Sequence, residues 1–357
     1  MPVEMIGWIA PRVSSEIIPV AGPPFDAGVI AETARIHEQA DFDRVLIGYF
    51  SNAPDGFMIG AHAAAQTERL GLLLAHRPGF VAPTVAARKM ATLDQLSNGR
   101  LAVHLISGGS DVDQAKDGDY TDHAARYRRT AEYAGLLRRV WTEPNAFDHA
   151  GEFYKFEGAY AEIRCRQTPC IPAYGGGGSD AAIAALAPNV DVFMLWGEPL
   201  AATAQFMKRV RKAAGSSQRV PEFSLSTRPI LAETDDKAWD RANRILDQAT
   251  QQLDGIRVPK RQNIGSKRLL DVAAEADTHD TCLWTKLAEL TGAAGNSTAL
   301  VGAPDTVAKA LVEYYKIGAK SLLIRGYDPL VDAAQYGAEL IPLVRELVAE
   351  IDSASVD

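Results

Sequence analysis

The chain has 357 residues, 47% hydrophobic and 23% charged, with a formal net charge of −8, which excludes a disordered, collagenous or small disulfide-stapled protein. No run of five Lys or Arg is present, which argues against a nucleic-acid partner, whose phosphates need a clustered basic surface. No window reaches the roughly 18 consecutive apolar residues of a membrane span, and the N-terminal MPVEMIGWIAPR has no basic segment ahead of a long apolar one, so no membrane association and a cytoplasmic location are expected.

In chain order, short β-rich apolar runs alternate with longer stretches of helical spacing. Strands are predicted at residues 5–10, 44–47, 70–75, 101–106, 171–174, 190–195, 222–232 and 321–324. Helices are predicted at 29–39, 84–96, 124–141, 180–187, 200–214, 236–252, 306–317 and 332–351. Several strands are apolar throughout, the pattern of parallel strands covered on both faces. Eight β-then-α units fit a closed (β/α)8 TIM barrel better than an open doubly wound sheet, because closure leaves no edge. One domain over residues 1–357 is expected, a barrel of about 290 residues with insertions at 143–167 and 255–296. The second insertion is polar and poor in strand signals, with Lys260-Arg261-Gln262-Asn263 followed by Gly292-Ala293-Ala294-Gly295. It is expected to be a mobile lid over the barrel mouth. Residues 57–65 give an apolar helix face that is either a subunit interface or ordinary packing on the barrel.

Cys165, Cys170 and Cys282 have a spacing that fits neither a zinc site nor a dithiol redox pair, and they read as buried thiols. The seven histidines assemble no metal-ligand spacing and no hydrolytic triad, so no metal is expected.

In a barrel the chemistry belongs at the C-terminal ends of the strands. Those ends carry Arg12; Tyr49, Ser51 and Asn52; His76 and Arg77; His104 and Ser107; Trp196 and Glu198; Ser226 and Arg228; and Arg325 with Tyr327. The most telling feature follows the fifth strand, where Gly175-Gly176-Gly177-Gly178 precede Ser179-Asp180. Glycines let the backbone approach a ligand, and a serine at a helix N-cap exposes N–H groups and a hydroxyl toward an anion such as phosphate. The run is neither a dinucleotide fingerprint nor a Walker loop, since no Lys precedes Ser179. Its plain alternatives are a helix C-cap or a bare strand-to-helix turn. By itself His104 reads more readily as a satisfied core residue than as a catalyst, and Asp122-His123-Ala124-Ala125-Arg126-Tyr127 reads equally as a capped helix start.

Several segments resemble the bacterial luciferase-like superfamily, and within it the alkanesulfonate monooxygenases. They are Arg77-Pro78, Ala82-Pro83-Thr84-Val85-Ala86-Ala87-Arg88, Ala91-Thr92-Leu93-Asp94 and Leu96-Ser97-Asn98-Gly99-Arg100. Asp122-His123 with Arg126-Tyr127, Gly176-Gly177 with Ser179-Asp180, Trp196-Gly197-Glu198-Pro199, Glu233-Thr234 and Thr298-Ala299-Leu300-Val301-Gly302 continue the likeness in order. The resemblance implies a TIM-barrel monooxygenase that binds reduced FMN from a separate NAD(P)H-dependent flavin reductase, uses O2, and cleaves an organosulfonate to an aldehyde and sulfite. It places Gly176, Gly177, Gly178, Ser179 and Tyr127 at the FMN phosphate, and His104 and Ser107 beside the flavin ring. Trp196 and Tyr327 fall on the substrate side, with His104 and Tyr327 as proton-transfer candidates. It also implies a homodimer or homotetramer.

The departures concern the anion pocket. Where the family has an Arg-x-His pair, this chain has Ser226-Thr227-Arg228, and Ala53, Ala293 and Pro329 stand where it has a Cys, a lid Arg and a His. Arg12, Arg228 and Arg325 instead crown three strands, and forked guanidinium contacts are expected to hold a small anionic organosulfur substrate, with a sugar sulfonate as one option and Arg228 as a catalytic candidate. Structural ion pairs with Asp or Glu are the alternative for these arginines. The same fold acting on a sulfone, alkane or amine, a deazaflavin-dependent oxidoreductase, and a noncatalytic flavin-binding protein are the competing functions.

Overall fold

The computed structural model describes residues 3–215, 219–256 and 263–354. Its strands are β1 (Glu4–Ile9), β2 (Arg44–Ile47), β3 (Gly71–His76), β4 (Leu101–Leu105), β5 (Phe147–Ala150), β6 (Lys155–Ala159), β7 (Ala173–Gly176), β8 (Val192–Trp196), β9 (Glu222–Leu231), β10 (Thr278–His279), β11 (Leu283–Trp284), β12 (Ala299–Gly302) and β13 (Ala319–Ile324). Its α-helices are α1 (Ala27–Gln39), α2 (Gly56–Ala65), α3 (Pro83–Leu96), α4 (Asp111–Lys116), α5 (His123–Thr142), α6 (Asp180–Leu186), α7 (Leu200–Ala214), α8 (Asp235–Leu253), α9 (Ile264–Glu275), α10 (Lys286–Leu290), α11 (Pro304–Ile317), α12 (Pro329–Gln335) and α13 (Ile341–Ala354). The strand order β9-β13-β1-β2-β3-β4-β7-β8, completed by β8–β9 pairing, is the expected (β/α)8 barrel. No described helix is long and apolar enough to cross a membrane.

The chain divides into two compact units, one from residues up to Val45, Met194–Lys208 and Glu222 onward, the other from Leu46–Phe193 and Arg209–Pro221. In the first, β9 changes partner midway: Phe223–Thr227 pair with β13, and from Arg228 onward the strand pairs with β12. In the second, β3 is buried throughout and runs parallel to β4, which runs parallel to β7.

Local sequence sets the helix starts. Asp26, Asp55, Asp122, Ser179, Thr234 and Asn263 each accept a backbone N–H of the first turn, while α3, α11 and α12 begin with proline, whose missing N–H costs nothing there. The first insertion folds as the antiparallel hairpin β5–β6, held to α5 by Glu132, which accepts from the backbone N of Phe153 and Tyr154.

Two expectations need correction. The second insertion is not bare of strands: β10 pairs antiparallel with β11 and β11 with β12, which continues parallel to β9. Two-residue strands are too short to produce alternation. Of its basic run, Lys260, Arg261 and Gln262 lie outside the described residues. The predicted helix 332–351 is also interrupted, by a π-helical turn at Tyr336–Leu340. Gly337 there meets the backbone of Ala40 so closely that a Cβ would stand 2.4 Å from its Cα. The widened turn coincides with this approach.

Candidate active site

The glycine run after β7 forms a close-fitting cradle. A Cβ on Gly177 would lie 2.5 Å from the Tyr127 hydroxyl and 2.6 Å from the Ala182 Cβ, so backbone and phenol meet only because glycine is there. Asp122 caps α5 by accepting from Ala124 and Ala125 N at 3.0 Å, and one turn later the helix delivers the buried Tyr127. Burial pushes the Tyr127 phenol up to about 12, against the weaker pull of Arg126, so it is a neutral O–H donor at physiological pH. That hydroxyl has no hydrogen-bond partner among the described residues. Ser179 caps α6, its Oγ accepting from Ala182 N at 3.1 Å, but α6 has only seven residues. The cradle's donors are therefore backbone and phenol more than a helix terminus. Gly176, Gly178 and Ser179 are half-buried.

His104, the half-buried member of β4, pairs in register with Ala75 and Tyr174, and its ring makes no hydrogen bond among the described residues. Burial lowers its pKa to about 4, leaving it neutral. The satisfied histidine is the neighbouring His76, which meets the Tyr133 hydroxyl at 2.7 Å. Ser107 is committed locally: its Oγ pairs with Thr130 Oγ1 at 2.9 Å and its carbonyl accepts from Gln114 Nε2 at 3.0 Å. Arg77, buried, spends one arm on Asp113 at 2.6 Å and stacks over Tyr49.

In the other unit, Arg228, Arg325 and Tyr327 gather around a residue the sequence does not single out, Glu16. Arg228 sits where β9 changes partner, 1% exposed. Its Nη1 donates to Glu16 Oε1 at 2.6 Å, its Nη2 to the Gly326 carbonyl at 3.0 Å, and its guanidinium lies 3.6 Å from the centre of the Tyr327 ring. Burial alone would raise the Glu16 pKa; Arg228, by charge and hydrogen bond, and then Arg325 outweigh it and hold it at about 2. Arg228 thus takes the structural ion pair. Arg325 keeps its donors: Glu16 is 3.7 Å away, the Trp8 ring lies 5.2 Å beneath, and no hydrogen bond is made among the described residues. Burial, and next the charge of Arg228, lower its pKa to about 10, so it stays cationic. Tyr327 is fully buried, its Oη without a partner among the described residues, and burial pushes its pKa up to about 12. Arg12 is half-buried and makes no side-chain bond among the described residues.

Trp196, half-buried at the end of β8, packs against α9 of the second insertion, where a Cβ on Gly265 would lie 2.8 Å from its ring. Two residues on, Glu198 forms a forked pair with Arg268 of the same helix, one arm at 2.8 Å. The Cys165 and Cys282 thiols are pushed by burial to about 12 and about 11, and none of the three cysteines is paired. Among the described residues no group of three His, Cys, Asp or Glu has metal-holding geometry.

A signal for Glu16 was available. It is the lone acid in residues 12–25 and is followed by Ile17-Ile18, and an acid in apolar company is buried only with a partner.

The family model described as luciferase-like monooxygenase matches residues 5–321. Among solved structures, the EDTA monooxygenase of Chelativorans sp. BNC1 is 17% identical with a TM-score of 0.74, covering 97% of this chain and 94% of that one. The oxygenating constituent of the 3,6-diketocamphane monooxygenase of Pseudomonas putida, in complex with FMN, is 16% identical with a TM-score of 0.67, covering 97% of each chain. The coenzyme F420 dependent tetrahydromethanopterin reductase of Methanopyrus kandleri is 17% identical with a TM-score of 0.69, covering 96% and 99%. At these identities the likeness establishes a common fold.

Proposed function

Because the chain belongs to the luciferase-like monooxygenase family, we propose that it is a two-component flavin monooxygenase that takes reduced FMN from an NAD(P)H-dependent flavin reductase and oxygenates a small anionic organosulfur compound. The net reaction consumes a sulfonate, O2 and reduced flavin, and yields an aldehyde, sulfite, oxidised flavin and water. The observation that carries the reading is the Gly177–Tyr127 cradle, in which a neutral phenol with no hydrogen-bond partner among the described residues faces a backbone that tolerates no side chain. That arrangement suits the FMN phosphate, with Gly176, Gly178 and Ser179 completing the loop.

The flavin, when bound, supplies the activation of O2. The chain's own residues bind, orient and exclude water. His104, neutral and unpartnered, is the proton acceptor of the proposal, with Ser107 fixed beside it on the same strand end. Arg325 and Arg12 offer free donors to an oxyanion, Arg228 holds Glu16 and covers the neutral Tyr327, and Trp196 walls the substrate under α9. The insertion carrying α9 acts as the lid, and the working enzyme is a cytoplasmic homodimer or homotetramer built on one barrel domain.

The likeness to a coenzyme F420 dependent reductase favours a second reading, deazaflavin-dependent hydride transfer. Anaerobic titration separates the two. Quenching of reduced FMN fluorescence with no response to the deazaflavin supports the monooxygenase; the opposite pattern removes it.

A further inference from the structure

Glu16 is placed, not adventitious. Ser15 Oγ donates to the Tyr327 carbonyl at 2.5 Å and accepts from the backbone N of Ile17 and Ile18 at 3.2 and 3.1 Å, so a tight turn is pinned to the end of β13. The turn sets the Glu16 carboxylate 2.6 Å from Arg228 and 3.7 Å from Arg325. Around this trio Tyr327 and Tyr336 are neutral phenols, and Asp332 is matched by Arg241. Two guanidinium groups against one carboxylate leave a single net positive charge. Arg228 is the more committed of the two, since both terminal nitrogens donate to protein acceptors, one face is covered by Tyr327, and its Nε is buried. Arg325 has its whole fork. A desolvated charge is tolerated when it is cancelled and penalised when it is not, so a bound anion is stabilised up to that single charge and no further.

We propose that Glu16 is the specificity-determining residue of the anion site it forms with Arg228 and Arg325: by pairing with Arg228 it leaves Arg325 as the open fork of the trio, and this site takes a monoanionic head group and rejects a dianionic one. The proposal rests on the anion-binding reading above and adds the residue that decides the charge of the substrate.

Calorimetric titration of the full chain with methanesulfonate, a monoanion, and sulfate, a dianion of similar size, tests it. The wild type is expected to bind methanesulfonate about tenfold or more tighter than sulfate, and Glu16→Gln to lose that preference by a similar factor. Arg325→Met is expected to lose both anions. An unchanged ratio in Glu16→Gln, or wild-type methanesulfonate binding by Arg325→Met, overturns the proposal, and the second variant decides if the first does not fold. Anaerobic titration of the same samples with reduced FMN keeps the two claims apart. Failure there removes the monooxygenase reading while the anion ratio still reports on Glu16.

Discussion

Glu16 Oε1 accepts a hydrogen bond from Arg228 Nη1 at 2.6 Å across 212 positions of sequence, joining the loop after the first barrel strand to the point where β9 changes partner. The pair has a consequence for acid stability. The folded-state pKa of Glu16, about 2, lies below the ordinary glutamate value of 4.5, so its contribution is present above about pH 4.5 and is lost as pH falls toward 2. Glu16→Gln should flatten that part of the stability curve by about 3 kcal/mol, read from urea unfolding at stepped pH. A variant curve parallel to the wild type below pH 4.5 would count against the pair.

Two buried histidines act one step higher on the pH scale. His37 donates from Nδ1 to the Thr33 carbonyl, and His76 from Nε2 to the Tyr133 hydroxyl, which itself donates to the Val81 carbonyl. Burial lowers both to about 4. The unfolded chain therefore binds more protons between pH 6.5 and 4, and stability falls as pH drops through that window. Each should contribute about 2 kcal/mol of loss between pH 7 and pH 5. Removing one imidazole, as in His76→Gln, should reduce the difference measured by chemical denaturation at the two pH values.

The Gly177–Tyr127 cradle, proposed to hold the FMN phosphate, makes a prediction specific to one part of the cofactor. Gly177→Ala drives a methyl group into the Tyr127 hydroxyl and Ala182, and should weaken FMN binding about tenfold or more while the far-ultraviolet spectrum is kept. Tyr127→Phe removes only the donor. It should weaken FMN by about 1 kcal/mol or more and leave riboflavin, which has no phosphate, unchanged; equal losses for both ligands would place the phosphate elsewhere.

Gly265→Ala sets two effects against each other. Alanine gains helix propensity, less than the roughly 1 kcal/mol of a helix interior because Gly265 lies in the first turn of α9, but its Cβ would stand 2.8 Å from the Trp196 ring, and overpacking costs about 1–3 kcal/mol. The ring should yield, giving a shifted Trp196 emission and a severalfold rise in KM with little change in melting temperature.

The barrel was legible because its strands are apolar runs long enough to stand out, as Gly71–His76 and Leu101–Leu105 do. The capped helix start after the glycine run and the capped start of α5 were legible for a similar reason, each carrying its local geometry within a few consecutive residues. The short strands Thr278–His279 and Leu283–Trp284 were not, since two residues show no period. Nor was the division of labour among the arginines: Arg228 and Arg325 look alike in sequence, and only the distant Glu16 separates the engaged guanidinium from the open one.

The most direct measurement is sulfite release from a panel of alkyl and sugar sulfonates, with enzymatically reduced FMN, in the presence and absence of O2. Sulfite formed in step with O2 consumption, and abolished when either flavin or O2 is withheld, is the expected result. Substrate turnover that proceeds with a reduced deazaflavin and no O2 would contradict the account.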